Sequence, residues 1–364
     1  METERLHAET LAAAAASIDR AAAIIRRGGL VAFPTETVYG LGGDATNPLA
    51  VARIFEAKGR PTFDPLIVHV ADRVDLVRVF TTEALRDPRL TALADAFWPG
   101  PLTIVAASLP AIPGLVRAGL PNVGVRIPRQ ETARALIRAA GVPIAAPSAN
   151  RFGLLSPTRA DHVLNQLDGR IDALLLGEAT EVGVESSVVA LAQDAPAVLL
   201  RPGGVPLEQL RERLASYGGV EHADRHAPVL SGAALPAPGM TAAHYAPRTP
   251  LYLVASGEVA LLRTKIPHLQ RVAIVGPDNS ATMELAEVAR AVDLSVALSV
   301  ALSPTLDHAR AASRLFDLLH SIDSALGGER SAGILVAPYP SDGLGLAIAD
   351  RLHRAAAAQH ERDA

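Results

Sequence analysis

Lysine occurs only twice in this chain of 364 residues, whose 34 basic residues are otherwise all arginine. One of the two, Lys58, sits in the run Ala57-Lys58-Gly59-Arg60-Pro61. A compact ammonium on a flexible stem suits phosphate oxygens crowded around a metal ion, where a planar guanidinium fits differently. The plainer reading is a solvated helix end closed by Gly59. Arg60 and His69 add two more cation-forming groups within twelve positions. Strand alternation puts His69 on the face of Ile67, with Leu66, Val68 and Val70 on the other. A lone strand histidine is more often packed than a ligand, but this one shares its segment with two anion-seeking groups.

Other chemistry-bearing residues fall in loops. Pro34-Thr35-Glu36-Thr37-Val38-Tyr39-Gly40-Leu41-Gly42 carries two hydroxyls and a carboxylate and ends in glycines that let backbone approach a ligand. It lacks the Gly-Lys-Ser/Thr of a phosphate-binding P-loop and the third glycine of a dinucleotide fingerprint. Pro147-Ser148-Ala149-Asn150 follows the predicted strand Pro143–Ala146 and offers a hydroxyl and an amide; an ordinary turn or helix cap would use the same residues. Gly183 to Val189 and Leu200-Arg201-Pro202-Gly203 repeat the theme, and Arg126 ends a strand that Pro128 stops. No Ser–His–Asp order and no metal-ligand cluster emerges. Cations and hydroxyls on several loops suit binding of a polyphosphate and an amino acid better than covalent catalysis.

Alternating elements must position these loops. Residues 8–27 read as an alanine-rich helix closed by Gly28-Gly29, followed by the strand 30–33 and a polar loop from Pro34 to Asp44. Asn47-Pro48 is an N-cap and N1 pair for a helix to Ala57, and 66–70 is the next strand. Further strands are predicted at 102–107, 123–127, 143–146, 173–176, 187–191 and 197–200, with helices near 82–96, 130–140, 158–167 and 206–216. After a stretch rich in Pro, Gly, Ala and Ser from Ala227 to Met240, a second alternation predicts a small doubly wound domain. The expected fold class is α/β, a helix-covered sheet followed by a smaller α/β domain.

Composition narrows the function classes. With no cysteine, disulfides, thiolate metal sites and cysteine nucleophiles are all excluded. Net charge of −4 argues against a general nucleic-acid coat, although a local basic cavity can hide in an acidic average. No apolar run approaches membrane-spanning length and no basic signal peptide opens the chain, so a cytoplasmic location is expected.

The motifs Phe-Pro-Thr-Glu-Thr-Val-Tyr-Gly-Leu-Gly (33–42), Lys-Gly-Arg-Pro (58–61), Pro-Leu-Ile-Val-His (65–69), Gly-Val-Arg-Ile-Pro (124–128) and Pro-Ser-Ala-Asn (147–150) together resemble the YrdC-like family of threonylcarbamoyl-AMP synthases. Pro-Gly-Met-x-x-x-His-Tyr-Ala-Pro (238–247) and the run 335–352 resemble its long, two-domain, Sua-type form. The resemblance implies a YrdC-like twisted mixed sheet over 1–208, a linker over 209–247 and a Rossmann-like Sua-type domain over 248–364. It also implies a reaction in which L-threonine, bicarbonate and ATP, with Mg²⁺, give threonylcarbamoyl-AMP and pyrophosphate. The product would serve downstream threonylcarbamoyl transferase machinery acting on tRNA.

Carried over by motif position, the catalytic tetrad would be Lys58, Arg60, Ser148 and Asn150. Threonine would meet Thr37, His69, Arg126, Ala146 and Ser187. ATP would meet Arg60, Asp64, Asn122, Ser148, Ser156, Arg201 and Tyr245, with Lys58 near the phosphates. Asp64 departs from an expected asparagine, and a carboxylate there repels phosphate unless a metal or a neighbouring arginine offsets it. Two rivals stand beside this function. A carbamoyl-adenylate-forming relative of the hydrogenase-maturation type would carry cysteine-rich segments, which this chain lacks. An RNA-binding module would respond to salt and ignore threonine.

Overall fold

Asn47 caps the helix Pro48–Lys58 as its sequence predicts: the Asn47 side chain accepts from the N–H groups of Leu49 and Ala50, and Pro48 fills the first turn. Gly59 closes the helix in the left-handed region at φ 62°, a conformation that costs glycine little. The computed structural model describes residues 2–7, 11–193, 195–223, 233–329 and 331–363. Contacts divide the chain into two units: Met1–Phe152 with Ser156–Thr241, and Gly153–Leu155 with Ala242–Ala364.

The first unit is built on eleven strands: β1 (Glu4–Leu6), β2 (Val31–Phe33), β3 (Gly40–Asp44), β4 (Ile67–His69), β5 (Leu102–Ala107) and β6 (Asn122–Arg126), then β7 (Ile144–Ala145), β8 (Ala173–Leu175), β9 (Ser187–Ala190), β10 (Ala197–Arg201) and β11 (Val220–His222). Their order is β1-β8-β2-β3-β7-β4-β6-β5-β9-β10-β11. The sheet is mixed, with β4 parallel to β6 and β5 parallel to β9, while β7 runs antiparallel to β3 and β4. Helices Leu11–Arg26 and Glu131–Ala140 bury Ala21, Ile25, Leu136 and Ile137 against Val31, Phe33 and Ile144.

Three sequence expectations shift. The loop read from Pro34 to Asp44 ends in a strand, because β3 pairs antiparallel with β2 from Gly40 onward. Its glycines argue against a strand by propensity, yet packing requires them: a Cβ on Gly42 would lie 2.7 Å from the Phe33 ring and 2.9 Å from Ile144. The helix expected near 82–96 divides into Thr82–Leu85 and Pro88–Phe97, since Pro88 has no N–H to continue it and Asp87 caps a new start. Within the stretch 209–247, expected to be a linker, β11 pairs parallel with β10, and the Leu235 N–H donates to the Phe63 carbonyl. Residues 224–232, which include the start of the Pro- and Gly-rich stretch from Ala227, lie outside the described residues.

The second unit carries β12 (Leu251–Leu253), β13 (Arg271–Gly276), β14 (Ser295–Ala301) and β15 (Ala332–Val336) in the order β12-β15-β13-β14, every pair parallel. Helices Asn279–Ala291, His308–Leu326 and Gly345–Asp363 follow its strands, giving the predicted doubly wound α/β domain. Among the described residues no helix is long and apolar enough to cross a membrane.

Candidate active site

Lys58, at the C-terminal end of its helix, is buried at 2% exposure, so the solvated helix end is excluded. Its Nζ donates to the Ser148 carbonyl at 2.6 Å and also to the Asn150 carbonyl. The Phe152 N–H donates back to the Lys58 carbonyl at 2.9 Å. On its other side the 147–150 loop is laced to the first motif: the Leu41 N–H donates to the Pro147 carbonyl and the Ala149 N–H to the Tyr39 carbonyl, each at 2.8 Å. Two motifs far apart in sequence therefore form one rigid corner around a single ammonium. Burial, reinforced by the Arg60 charge, pushes the Lys58 pKa well below its ordinary value, while Asp64 pulls the other way.

Arg60 answers the question posed by Asp64. Its Nη2 lies 3.0 Å from the Asp64 carboxylate, with both side chains buried, and its Nε and Nη2 donate to the Asp64 and Pro65 carbonyls. Burial raises the Asp64 pKa against the opposing pull of Arg60, the Gly239 N–H, Lys58 and Arg201. Arg201 is likewise buried, donating to the Ser186 carbonyl at 2.9 Å and the Pro238 carbonyl at 3.0 Å. A cationic cluster of Lys58, Arg60 and Arg201 thus surrounds one carboxylate.

A second cluster forms on the central strands. Arg126 pairs in register with His69 across parallel β6 and β4. Its Nη1 donates to the Thr37 hydroxyl at 2.8 Å, Thr37 shares a 2.9 Å hydrogen bond with Thr35, and Nη2 lies 2.7 Å from Glu36 Oε1. Burial, then the Arg126 charge, lowers the His69 pKa to about 3, so its imidazole is neutral at neutral pH. The Ala146 N–H donates to the Ile67 carbonyl, bringing the 143–148 segment beside the same strand. Ser187 holds the Gly203 loop: its hydroxyl donates to the Val205 carbonyl at 2.6 Å and accepts from the Val205 N–H at 3.0 Å.

The remaining residues named from the sequence have the following surroundings. Asn122 is exposed and begins β6, roughly 13 Å of strand away from Arg126 at the far end. Ser156 donates at 2.5 Å to Glu185, a buried carboxylate that the sequence reading did not single out. Tyr245 belongs to the second unit, where it is buried against Phe316 and beneath the Arg351 guanidinium, 5.1 Å from its ring centroid. Glu36, the carboxylate of the first motif, has no ligand role among the sequence expectations, yet it sits against Arg126.

Residues 23–203 match the family model described as "Telomere recombination", and 205–357 match "Threonylcarbamoyl-AMP synthase, C-terminal domain". A Bacillus subtilis protein named threonylcarbamoyl-AMP synthase is 40% identical over 348 residues, covering 93% of this chain and 92% of that protein. The chain belongs to the threonylcarbamoyl-AMP synthase family. A Pyrococcus abyssi protein of the same name is 44% identical over 252 residues, 68% of this chain and 71% of its own length. The crystal structure of P. abyssi Sua5 complexed with L-threonine matches with a TM-score of 0.80 at 33% identity, over 99% of this chain and 98% of the other. The family resemblance carried by the motifs therefore holds for both halves, and the mixed sheet and the parallel sheet are the folds it implies.

Proposed function

We infer that this protein is an L-threonylcarbamoyladenylate synthase, joining L-threonine, bicarbonate and ATP into threonylcarbamoyl-AMP with release of water and pyrophosphate. The observation that carries this reading is the Lys58 corner, where a buried ammonium fixes the Ser148–Asn150 loop beside Arg60, in a chain whose relatives bear the synthase's name.

The carbamate of threonine is an anion that must attack the α-phosphorus of another anion, so the site has to gather positive charge and exclude water. Lys58, Arg60 and Arg201 supply that field in a buried setting where charges act strongly. An arriving polyphosphate favours the ammonium form of Lys58. The carbamate oxygen forms the bond to phosphorus and pyrophosphate leaves, with no covalent enzyme intermediate. Positioning and charge stabilisation carry the rate. The amino acid would sit among Thr37, His69, Arg126, Ala146 and Ser187. ATP would lie along Arg60, Asp64, Ser148, Ser156 and Arg201, and the motifs assign it Asn122 and Tyr245 as well.

Magnesium would enter with the nucleotide. Among the described residues no group of three or more His, Asp or Glu side chains is placed to hold a metal, which fits an ion carried mainly by phosphates. Asp64, the carboxylate within the cationic cluster, would contribute one ligand. On this reading the protein works in the cytoplasm and hands its product to threonylcarbamoyl transferase machinery that modifies tRNA. The test is pyrophosphate release measured across the amino acids: release that requires both threonine and bicarbonate supports the synthase. RNA binding that falls with salt, without threonine-dependent release, would favour the binding module instead.

A further inference from the structure

The amino-acid pocket contains a charge that the reaction above does not use. Glu36 is 1% exposed, and Arg126 Nη2 lies 2.7 Å from its Oε1. The two side chains are held as a buried ion pair. Burial pushes the Glu36 pKa up, but Arg126 and the backbone N–H groups of Arg129 and Glu36 pull it back below the usual value. Burying a carboxylate is costly unless a partner offsets its charge. Its counterpart in the pocket is Arg126, whose Nε and Nη1 donate to the Gly100 carbonyl and the Thr37 hydroxyl. Nη2 faces Glu36 and, carrying two N–H bonds, can also serve a ligand's carboxylate. His69, the third titratable group here, stays neutral. The pocket's formal charge is therefore that of Arg126 and Glu36 together, which is zero.

We propose that Glu36 determines specificity by cancelling the Arg126 charge, so that the pocket selects a zwitterionic amino acid over a plain carboxylate of the same shape. A lone buried guanidinium attracts any anion, bicarbonate and pyrophosphate included. With Glu36 in place, an anion brought to Arg126 also meets a like charge, and only a ligand carrying its own ammonium escapes that penalty. Glu36 thus acts on the ligand through the field it shares with Arg126. The inference rests on this pocket being the one that takes threonine.

The test compares L-threonine with 3-hydroxybutyrate, which is threonine without its amine, by calorimetric titration of the full chain. Wild type is expected to prefer threonine strongly. Glu36→Gln is expected to weaken threonine while sparing or tightening 3-hydroxybutyrate, so that the preference falls by about tenfold or more. Glu36→Asp, which keeps the charge, should restore most of it. Equal weakening of both ligands in Glu36→Gln would reduce Glu36 to a structural prop for Arg126 and overturn the proposal. So would wild type binding 3-hydroxybutyrate as tightly as threonine, an outcome that stands even if Glu36→Gln does not fold. Failure of wild type to bind threonine at all would overturn the pocket assignment itself, and the inference with it.

Discussion

The Lys58 ammonium donates to the Ser148 carbonyl at 2.6 Å, joining the end of one helix to a strand-end loop ninety residues further along the chain. A guanidinium carries the same charge but spreads it over a wider plane, and the site is sealed to 2% exposure. Lys58→Arg is therefore expected to reduce pyrophosphate release at saturating substrates by more than tenfold, or more than ~1.4 kcal/mol of barrier. A rate within about twofold of wild type would remove Lys58 from the machinery.

Arg60 and Asp64 form a buried ion pair at 3.0 Å. Asp64→Ala leaves the Arg60 charge without its partner, a loss of about 3–5 kcal/mol by analogy with broken buried pairs. Denaturant unfolding should show it as a lowered midpoint with an unchanged slope. Asp64→Asn keeps the shape and can still accept a hydrogen bond, and should cost less.

Thr37 offers its hydroxyl to Arg126 Nη1, so Thr37→Ala loosens the guanidinium that faces the amino acid. Threonine affinity by calorimetry should fall by about 1–3 kcal/mol, the cost of leaving a buried partner unpaired. Ser187→Ala should weaken threonine as well, and because its hydroxyl bonds both polar groups of the Val205 backbone it should also lower thermal stability.

His69 titrates at about 3 in the folded chain, well below its unfolded value. Between those two values the unfolded chain binds more protons, so this histidine's share of stability is full at neutral pH and declines as pH falls towards 3. The slope approaches ~1.4 kcal/mol per pH unit. Glu36, whose folded pKa is also depressed, adds loss in the same acidic direction. His69→Gln should flatten the stability profile between neutral and mildly acidic pH relative to wild type. An identical profile would mean that His69 is not buried neutral.

Local sequence chemistry decided a large part of this protein. Asn47, Pro48 and Gly59 set both ends of one helix through capping groups that act over only a few residues, and strand–helix alternation announced an α/β chain. The motif loops were legible because their residue types are unusual: a rare lysine, clustered glycines, hydroxyls at strand ends. Tertiary structure decided what the side chains do. Gly40–Asp44 reads as loop because glycine has poor strand propensity, and only the Phe33 ring packed over Gly42 shows why a strand there requires it. Lys58 reads as a phosphate contact or a solvated cap, whereas its carbonyl partners lie about ninety residues away. Glu36 was legible only as the carboxylate of a polar loop, and its partner Arg126 arrives from another strand. Burial, pKa and pairing depend on neighbours distant in sequence, and these were the properties that only the folded chain could supply.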